Sequence, residues 1–218
     1  MFVKKIGILL RPDKTFNKND VYVVNKKLLD VLNKYDVNFL FIVPPSGYEY
    51  YGYNFFSGPK VLEKDLLKIL DLIKMCDGII LQGGDEFYDF DIKIINYLYK
   101  NDIPTLGICL GMQSMAFYGG SKYYLLNSDN HKNSKHYVNI KKESLLYNIL
   151  KSGRILVCSR HNFAITNGKF LISSVSDDNI VEAIEDKNKK FFIGLQWHPE
   201  AIDDVYQDRI FKSFVDSL

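Results

Sequence analysis

The first half of the chain alternates apolar runs with amphipathic helical patterns, and this alternation restricts the fold more than any other feature of the sequence. The runs KKIGILL, VNFLFIVP, DGIILQGG and IPTLGIC are typical of buried strands. Helical patterns occur at about 20–35, 61–75, 88–100 and 110–119. Strands that alternate with helices form a parallel sheet covered on both faces. We therefore predict an α/β fold, a three-layer sandwich with a central, mostly parallel sheet.

After Gly120 the pattern changes to short pieces that are typical of strands, and these predict mixed or antiparallel additions to the sheet. The pieces are HYVNIK, RILVCSR, FLISSVS, NIVEAIED and FFIGLQWH, and a closing helix is expected near 204–217. No internal repeat or low-complexity linker separates the two halves. With 218 residues, 47% of them hydrophobic, the chain is expected to form one domain over residues 1–218.

Charge and hydropathy exclude several classes of partner. The formal net charge is +2, so nothing in the overall charge indicates a nucleic acid or an anionic membrane, and a small molecule is the expected ligand. No apolar run approaches the roughly 18 residues of a membrane span, and the run in MFVKKIGILLRPDK is too short for a signal peptide. We expect a cytoplasmic protein. Its three cysteines, Cys76, Cys109 and Cys158, form no C-x-x-C pair and are expected to be thiols.

The stretch TLGICLGMQSMA places Cys109 between two glycines at a predicted junction of strand and helix. The spacing G-x-C-x-G matches a nucleophile elbow, with Cys where many hydrolases have Ser. Gly107 and Gly111 remove Cβ atoms that such a sharp turn would crowd. The N–H groups of the following helix, Leu110 to Tyr118, would face the sulfur and favour the thiolate. From this motif alone, a nucleophile and an inert buried cysteine remain equal alternatives.

Two further motifs fit the chemistry of a nucleophilic cysteine. In GLQWHPE, His198 and Glu200 are two positions apart, so in an extended segment both side chains lie on one side and the carboxylate can orient the imidazole. In IILQGGDE, Gly83 and Gly84 end a predicted strand, and their N–H groups could complete an oxyanion hole with the N–H of Leu110. Taken singly, a surface His near a Glu and a plain strand-ending turn are the alternatives.

The motifs LQGG, GICLGMQ and QWHPE, in this order over nearly the whole chain, resemble the class I glutamine amidotransferase superfamily and its gamma-glutamyl hydrolase-like branch, peptidase C26. The resemblance implies a flavodoxin-like fold and a triad of Cys109 as nucleophile, His198 as general base and acid, and Glu200 as its orienting group. It implies no metal and no organic cofactor. The implied oxyanion donors are the backbone N–H groups of Gly84 and Leu110. The implied substrate-binding residues are Gly83, Gln113, Ser159, Arg160 and His161.

The sequence departs from the hydrolase branch in two places. The segment GGDEFYDFDIKII passes almost directly into a helix, where typical hydrolases have a longer segment with a Pro and a Tyr. Leu110 follows the nucleophile, as in amidotransferase domains, where hydrolases usually have Arg. These departures concern the substrate and not the chemistry.

The expected reaction is cleavage of a gamma-glutamyl amide through a thioester on Cys109, by a free-standing hydrolase whose leaving amine is larger than ammonia. The alternative is a glutaminase component that supplies ammonia to a separate synthetase. A remote alternative is an inactive binding protein. The partners left open are a synthetase and a second copy of the chain.

Two further features each have more than one interpretation. The aromatic loop from Tyr48 to Pro59 either packs on the surface or faces the substrate. His131 and His136 precede the S-x-H segment that ends at His161, and His136 fits a family position that shapes the pocket wall. No carboxylate or cysteine stands at ligand spacing from these histidines, so a metal site is not expected.

Overall fold

The computed structural model describes residues 3–51 and 59–218, so part of the aromatic loop, including Tyr53 and Phe56, lies outside the described residues. The strands are β1 (Lys4–Leu9), β2 (Arg11–Lys14), β3 (Asp20–Val23), β4 (Val37–Ile42), β5 (Gly78–Leu81), β6 (Thr105–Ile108), β7 (Tyr123–Leu125), β8 (Ser134–Ile140), β9 (Arg154–Ser159), β10 (Phe163–Ile165), β11 (Leu171–Ser176), β12 (Val181–Glu185) and β13 (Phe192–Leu195). The helices are α1 (Lys26–Leu32), α2 (Glu63–Ile73), α3 (Asp89–Lys100), α4 (Leu110–Tyr118), α5 (Leu145–Leu150) and α6 (Val205–Asp216), with a 3-10 turn at Pro199–Ala201.

A nine-stranded sheet in the order β4-β1-β5-β6-β13-β12-β11-β8-β9 forms the centre of the described structure. The strands from β4 to β13 in this order run parallel to one another. The remaining strands add to β13 in antiparallel pairs, as expected for the second half of the chain. Two small antiparallel pairs, β2 with β3 and β7 with β10, lie outside this sheet.

Alternating strand residues send side chains into two separate cores, one on each face of the sheet. In β5, Ile80 belongs to a core with α1, α5 and α6, whereas Ile79 and Leu81 belong to a core with α2, α3 and α4. This arrangement of helices, sheet and helices is the three-layer sandwich that the sequence predicts. In the described part of the chain, no helix combines the length and the apolar character needed to cross a bilayer.

The helix predicted over residues 20–35 is wrong in its first part. Residues Asp20–Val23 form β3, which pairs antiparallel with β2, and α1 begins only at Lys26. The run Val21 to Val24 contains β-branched and aromatic side chains, which suit a strand better than a helix. Asn25 then caps α1, because its side chain accepts a hydrogen bond from the N–H of Lys27. The shorter helix brings the Asn25 side chain to the carboxyl ends of the parallel strands.

A buried ion pair holds the segment that follows β5. Arg11, at the start of β2, donates from Nη1 to Oδ1 of Asp91 over 2.6 Å, and both side chains are almost completely buried. The same guanidinium donates to the carbonyl oxygen of Glu86, and the carboxylate of Asp91 accepts the N–H of Tyr88 over 3.0 Å. Because these bonds hold the backbone at Glu86 and at Tyr88, they limit the movement of the segment beside the cleft.

Replacing Arg11 with Met should lower the free energy of unfolding by about 3–5 kcal/mol, because Asp91 is then buried without its cation. Urea unfolding followed by circular dichroism measures this loss. The control is Lys212→Met, which removes an exposed partner of Asp216 at i,i+4 and should cost about 0.5 kcal/mol or less. Similar small losses in both variants would contradict a structural role for the buried pair.

Candidate active site

Cys109 lies at the sharp junction of β6 and α4, with φ 51° and ψ −106°. A non-glycine residue with this backbone conformation is strained, and such strain is held only where the surrounding structure demands it. The N–H of Cys109 donates to the carbonyl oxygen of Leu195 over 2.7 Å, and its own carbonyl accepts the N–H of Gln113 over 3.0 Å. The neighbouring strand and the helix thus hold the turn from both sides, and the sulfur lies at the N-terminus of α4.

The imidazole of His198 reaches Cys109 from the end of β13, the strand next to β6. Nδ1 of His198 lies 2.7 Å from Oε1 of Glu200. The imidazole also forms a hydrogen bond with the side chain of Cys109. Both His198 and Glu200 are buried. The structure therefore brings the three predicted triad residues together in the order thiol, imidazole, carboxylate.

The electrostatic surroundings favour a charged imidazole. Burial by itself would lower the pKa of His198, but the negative charge of Cys109 and then the carboxylate of Glu200 outweigh burial and raise this pKa to about 10. A thiolate beside an imidazolium is the arrangement that activates a cysteine as a nucleophile.

Of the two glycines after β5, Gly83 lies against this pair and Gly84 against Leu110. A Cβ atom on Gly83 would be 3.0 Å from Cε1 of His198 and 3.5 Å from Cβ of Cys109, so a larger residue would push the imidazole away. A Cβ atom on Gly84 would be 3.1 Å from the side chain of Leu110. Leu110 is the first residue of α4, so its N–H has no acceptor within the helix. Both predicted oxyanion donors thus belong to the wall of the cleft around Cys109.

With this geometry established, comparison with known proteins identifies the family. Residues 85–200 match the peptidase C26 family. A Schizosaccharomyces pombe protein whose name describes it as a glutamine amidotransferase is 38% identical over 174 residues, which cover 64% of this chain and 68% of that protein. One component of the glutamine-hydrolysing GMP synthase of Picrophilus torridus is 32% identical over 153 residues, which cover 67% of this chain and 79% of that component. This chain belongs to the peptidase C26 family.

A solved structure supports the fold of this peptidase C26 member. The glutaminase domain of Trypanosoma brucei CTPS, solved with bound acivicin, superposes with a TM-score of 0.69 at 17% identity, over 98% of this chain and 94% of that domain. The family match and this superposition confirm the predicted class I glutamine amidotransferase superfamily and its flavodoxin-like fold.

The cleft of this peptidase C26 chain contains most of the residues predicted to bind substrate. Gln113, Arg160 and His161 line it. Asp85 and Arg160 give the wall one acidic and one basic side chain. The residues that line the cleft are Gly84, Asp85, Phe87, Cys109, Leu110, Gln113, Arg160, His161, Asn162 and Phe163.

Gln113 and Ser159 make contacts within the protein. Nε2 of Gln113 donates to the carbonyl oxygen of Phe163 over 3.1 Å and to Oε1 of Gln196 over 3.0 Å. These two bonds occupy both amide hydrogens, so Gln113 would face a ligand with its oxygen. The hydroxyl of Ser159 lies 2.7 Å from Nε2 of His136, and Ser159 is fully buried. Ser159 therefore does not line the cleft, in contrast to its neighbours Arg160 and His161.

Asn25 is a residue of the site that the sequence analysis missed. Its Nδ2 donates to Oε1 of Glu200 over 2.8 Å, so this carboxylate oxygen is held by Asn25 on one side and His198 on the other. The helix cap at Asn25 was the available signal, but a cap predicts a local turn and not a contact with a residue 175 positions away.

Glu182 is a second missed residue. It lies in β12, is fully buried, and is surrounded by His131, His136 and His161. Burial alone would raise the pKa of Glu182, but the contacts with the histidines outweigh burial and lower it, so this carboxylate is charged. A charged residue within the apolar strand VEAIE was the signal that could have identified it.

In a Cys109→Ala variant the pKa of His198 should fall well below that of the unchanged protein, because burial then acts without the opposing thiolate charge. Nuclear magnetic resonance of the ring protons against pH measures the change. Glu200→Gln is the matched variant, which keeps the thiolate and should lower the pKa less. An unchanged His198 pKa in Cys109→Ala would contradict a thiolate and imidazolium pair.

Proposed function

We propose that this chain is the glutaminase component of a glutamine amidotransferase, which hydrolyses the side-chain amide of glutamine through a thioester on Cys109. The observation that carries this proposal is the strained position of Cys109 at the N-terminus of α4, in contact with the His198–Glu200 pair. Strain at a nucleophilic residue with a matched base is typical of a catalytic site.

The first half of the reaction forms the thioester. The Cys109 thiolate attacks the amide carbonyl carbon, and the resulting oxyanion accepts hydrogen bonds from the N–H groups of Gly84 and Leu110. The imidazolium of His198 donates its Nε2 proton to the departing nitrogen, so ammonia leaves and the carbon–nitrogen bond breaks. Glu200 keeps Nδ1 of His198 protonated and the ring oriented toward the sulfur.

The second half of the reaction releases glutamate. Neutral His198 takes a proton from water, and the oxygen of that water attacks the thioester carbon. The carbon–sulfur bond breaks, glutamate leaves, and the thiolate and imidazolium pair is restored. The same residues therefore act in both halves, with His198 first as acid and then as base.

The charged side chains of the cleft fit the other end of a glutamyl group. Arg160 can pair with the α-carboxylate, since a guanidinium binds a carboxylate through two parallel hydrogen bonds. Asp85 can pair with the α-ammonium, and Gln113 Oε1 offers a further acceptor. This arrangement supports a free amino acid as substrate.

Two observations favour ammonia over a larger leaving amine. The relatives include a component of a glutamine-hydrolysing GMP synthase, and Leu110 follows the nucleophile as in amidotransferase domains. These favour the amidotransferase alternative over the free-standing hydrolase that the sequence analysis expected. One contact favours the hydrolase as a second candidate, because the hydroxyl of Tyr50, in the aromatic loop, lies 3.4 Å from Oδ2 of Asp85, a residue that lines the cleft.

Cys109→Ala should remove glutamine hydrolysis by at least about 10³-fold while the fold survives, since the change deletes the nucleophile and little buried volume. Release of ammonia and glutamate measures the rate. His198→Ala should be nearly as severe, and Glu200→Gln milder, because the base remains. Labelling of the unchanged protein by 6-diazo-5-oxo-norleucine, absent in Cys109→Ala, provides the control. Turnover in Cys109→Ala within tenfold of the unchanged protein would disprove the assignment.

Asn25→Ser should lower kcat about tenfold with little change in KM or in the melting temperature, because serine still caps α1 but its side chain is too short to reach Glu200 as the Asn25 amide does. The matched variant Asn25→Ala loses both the cap and the donor, so it should lower the melting temperature as well. A fall in stability without a fall in kcat for Asn25→Ser would limit Asn25 to a structural role.

The partner is tested by comparing substrates with and without a synthetase. If the chain is a glutaminase component, hydrolysis of glutamine should be slow alone and increase when the ammonia-consuming synthetase is added. Gamma-glutamyl amines with larger leaving groups should then be poorer substrates. Rapid cleavage of such amines by the isolated chain, unaffected by any synthetase, would instead establish the free-standing hydrolase.

A further inference from the structure

A cluster of three imidazoles around one carboxylate lies behind the cleft, apart from the proposed triad. His131 belongs to the connection after β7, His136 to β8, His161 to the turn between β9 and β10, and Glu182 to β12. Oε1 of Glu182 lies 3.1 Å from Nδ1 of His131 and 3.5 Å from Nε2 of both His136 and His161. One ligand atom from each residue lies within 4.8 Å of all the others. Four chain segments thus direct nitrogen and oxygen atoms at one point.

Most polar atoms at this point are buried without hydrogen bonds, and the exception is Nε2 of His136, which lies 2.7 Å from the hydroxyl of Ser159. The side chain of Glu182 is fully buried, and those of His131 and His161 are 1% exposed. Within residues 3–51 and 59–218, both carboxylate oxygens of Glu182, Nδ1 of His131 and Nε2 of His161 have no hydrogen-bond partner. These nitrogen and oxygen atoms are therefore close together, but they are not aligned as hydrogen bonds. Burying a carboxylate in this way is costly unless a cation compensates its charge.

In each of two rings, the outer nitrogen is the one that faces away from Glu182, and the inner nitrogen is the one close to it. The acceptors of the outer nitrogens show which nitrogen atoms carry hydrogen. Nδ1 of His161 lies 3.0 Å from the carbonyl oxygen of Phe163, and Nε2 of His131 lies 3.1 Å from a carboxylate oxygen of Asp178. Both acceptors require an N–H, so in a neutral ring the inner nitrogen carries a lone pair. With the rings neutral, those lone pairs face the Glu182 carboxylate and repel it, and either a proton on the ring or a metal cation between them removes the repulsion. An imidazole whose outer N–H is held by a carboxylate or carbonyl is typical of a metal ligand.

We propose that His131, His136, His161 and Glu182 bind one Zn²⁺ ion in tetrahedral geometry. Bonds of 2.0–2.1 Å to a central zinc give ligand atoms about 3.3–3.4 Å apart. The three distances from Glu182, between 3.1 and 3.5 Å, agree with this spacing. Three imidazoles and a carboxylate suit zinc rather than magnesium or calcium, which prefer oxygen ligands. Four protein ligands leave no open position, so the site is structural.

A surface cavity provides access to the site. It is lined by His131 and His136 together with Asp178, so an ion can reach the imidazoles from solvent. The bound ion would link β8 and β12 to the turn that carries His161, which also lines the cleft beside Cys109. Zinc would therefore stabilise the cleft wall without taking part in the proposed hydrolysis, and the proposal does not depend on that reaction.

Zinc content and affinity test the proposal directly. The protein is prepared without a histidine tag and with Cys109→Ala, which removes the cleft thiolate as a competing zinc ligand. After treatment with a chelator, titration with Zn²⁺ against a fluorescent zinc indicator should show one ion per chain. The melting temperature should rise by about 5–10 °C at a zinc concentration near 100 times Kd. Co²⁺ should give the intense visible absorption of a four-coordinate site.

Two neighbouring carboxylates provide a matched pair of variants. Asp178→Asn removes the carboxylate that holds His131 and should weaken zinc binding by about 10–100-fold. Asp177→Asn, beside the same cavity but paired with Arg154, should leave the affinity unchanged. His136→Gln removes a half-buried ligand and should weaken binding by more than about 100-fold. Glu182→Gln should also weaken zinc binding by more than about 100-fold. If that variant does not fold, the Asp178 and His136 variants still test the proposal.

Two results would overturn the proposal. The first is no stoichiometric zinc binding at micromolar concentrations, with an unchanged melting temperature, which would make the cluster a set of protonated histidines around Glu182. The second is stoichiometric binding that survives both Asp178→Asn and His136→Gln, which would place the ion elsewhere on the chain.

Discussion

Close packing of α4 on β5 is the constraint on which the geometry around Cys109 depends. A Cβ atom on Gly111 would overlap the carbonyl oxygen of Leu81, so only glycine lets the helix approach the strand this closely. The approach brings the first turn of α4 beside Gly83 and Gly84, and it turns the chain at Cys109 into its strained conformation. The strain is therefore maintained by the packing of α4 against the sheet.

The rest of the site lies at the carboxyl ends of the parallel strands. In open α/β sheets, ligands bind at these ends because loops from neighbouring strands meet there. The segments after β5, β6 and β13 supply the glycines, Cys109 and the His198–Glu200 pair. Asn25 adds a contact from the start of α1, and Glu200 is then held from two directions. Each polar side chain of the pair is buried with a partner, so its orientation does not depend on solvent.

The buried carboxylates on the two sides of the cleft, Asp91 and Glu182, differ in their partners. On one side, Arg11 neutralises Asp91 through direct hydrogen bonds and holds the segment after β5. On the other side, Glu182 faces imidazoles without aligned hydrogen bonds, on a strand of the antiparallel extension. The first arrangement is complete within the protein, whereas in the second the proposed zinc ion would balance the charge of Glu182 and bind the lone pairs of the imidazoles. The segment after β9 thus lines the cleft, and the antiparallel strands help to bring the histidines together.

Sequence alone determined the features that depend on neighbouring residues. The alternation of strands and helices predicted the layers, the glycines around Cys109 predicted the sharp turn, and the spacing of His198 and Glu200 predicted their contact. Residues 20–23 were misassigned because the polar and apolar pattern there fits a helix as well as a strand. Only the tertiary structure decided that Asn25 meets Glu200 and that Glu182 meets three histidines, since these contacts join segments far apart in the chain. Such contacts follow from strand order and register, which local periodicity does not encode.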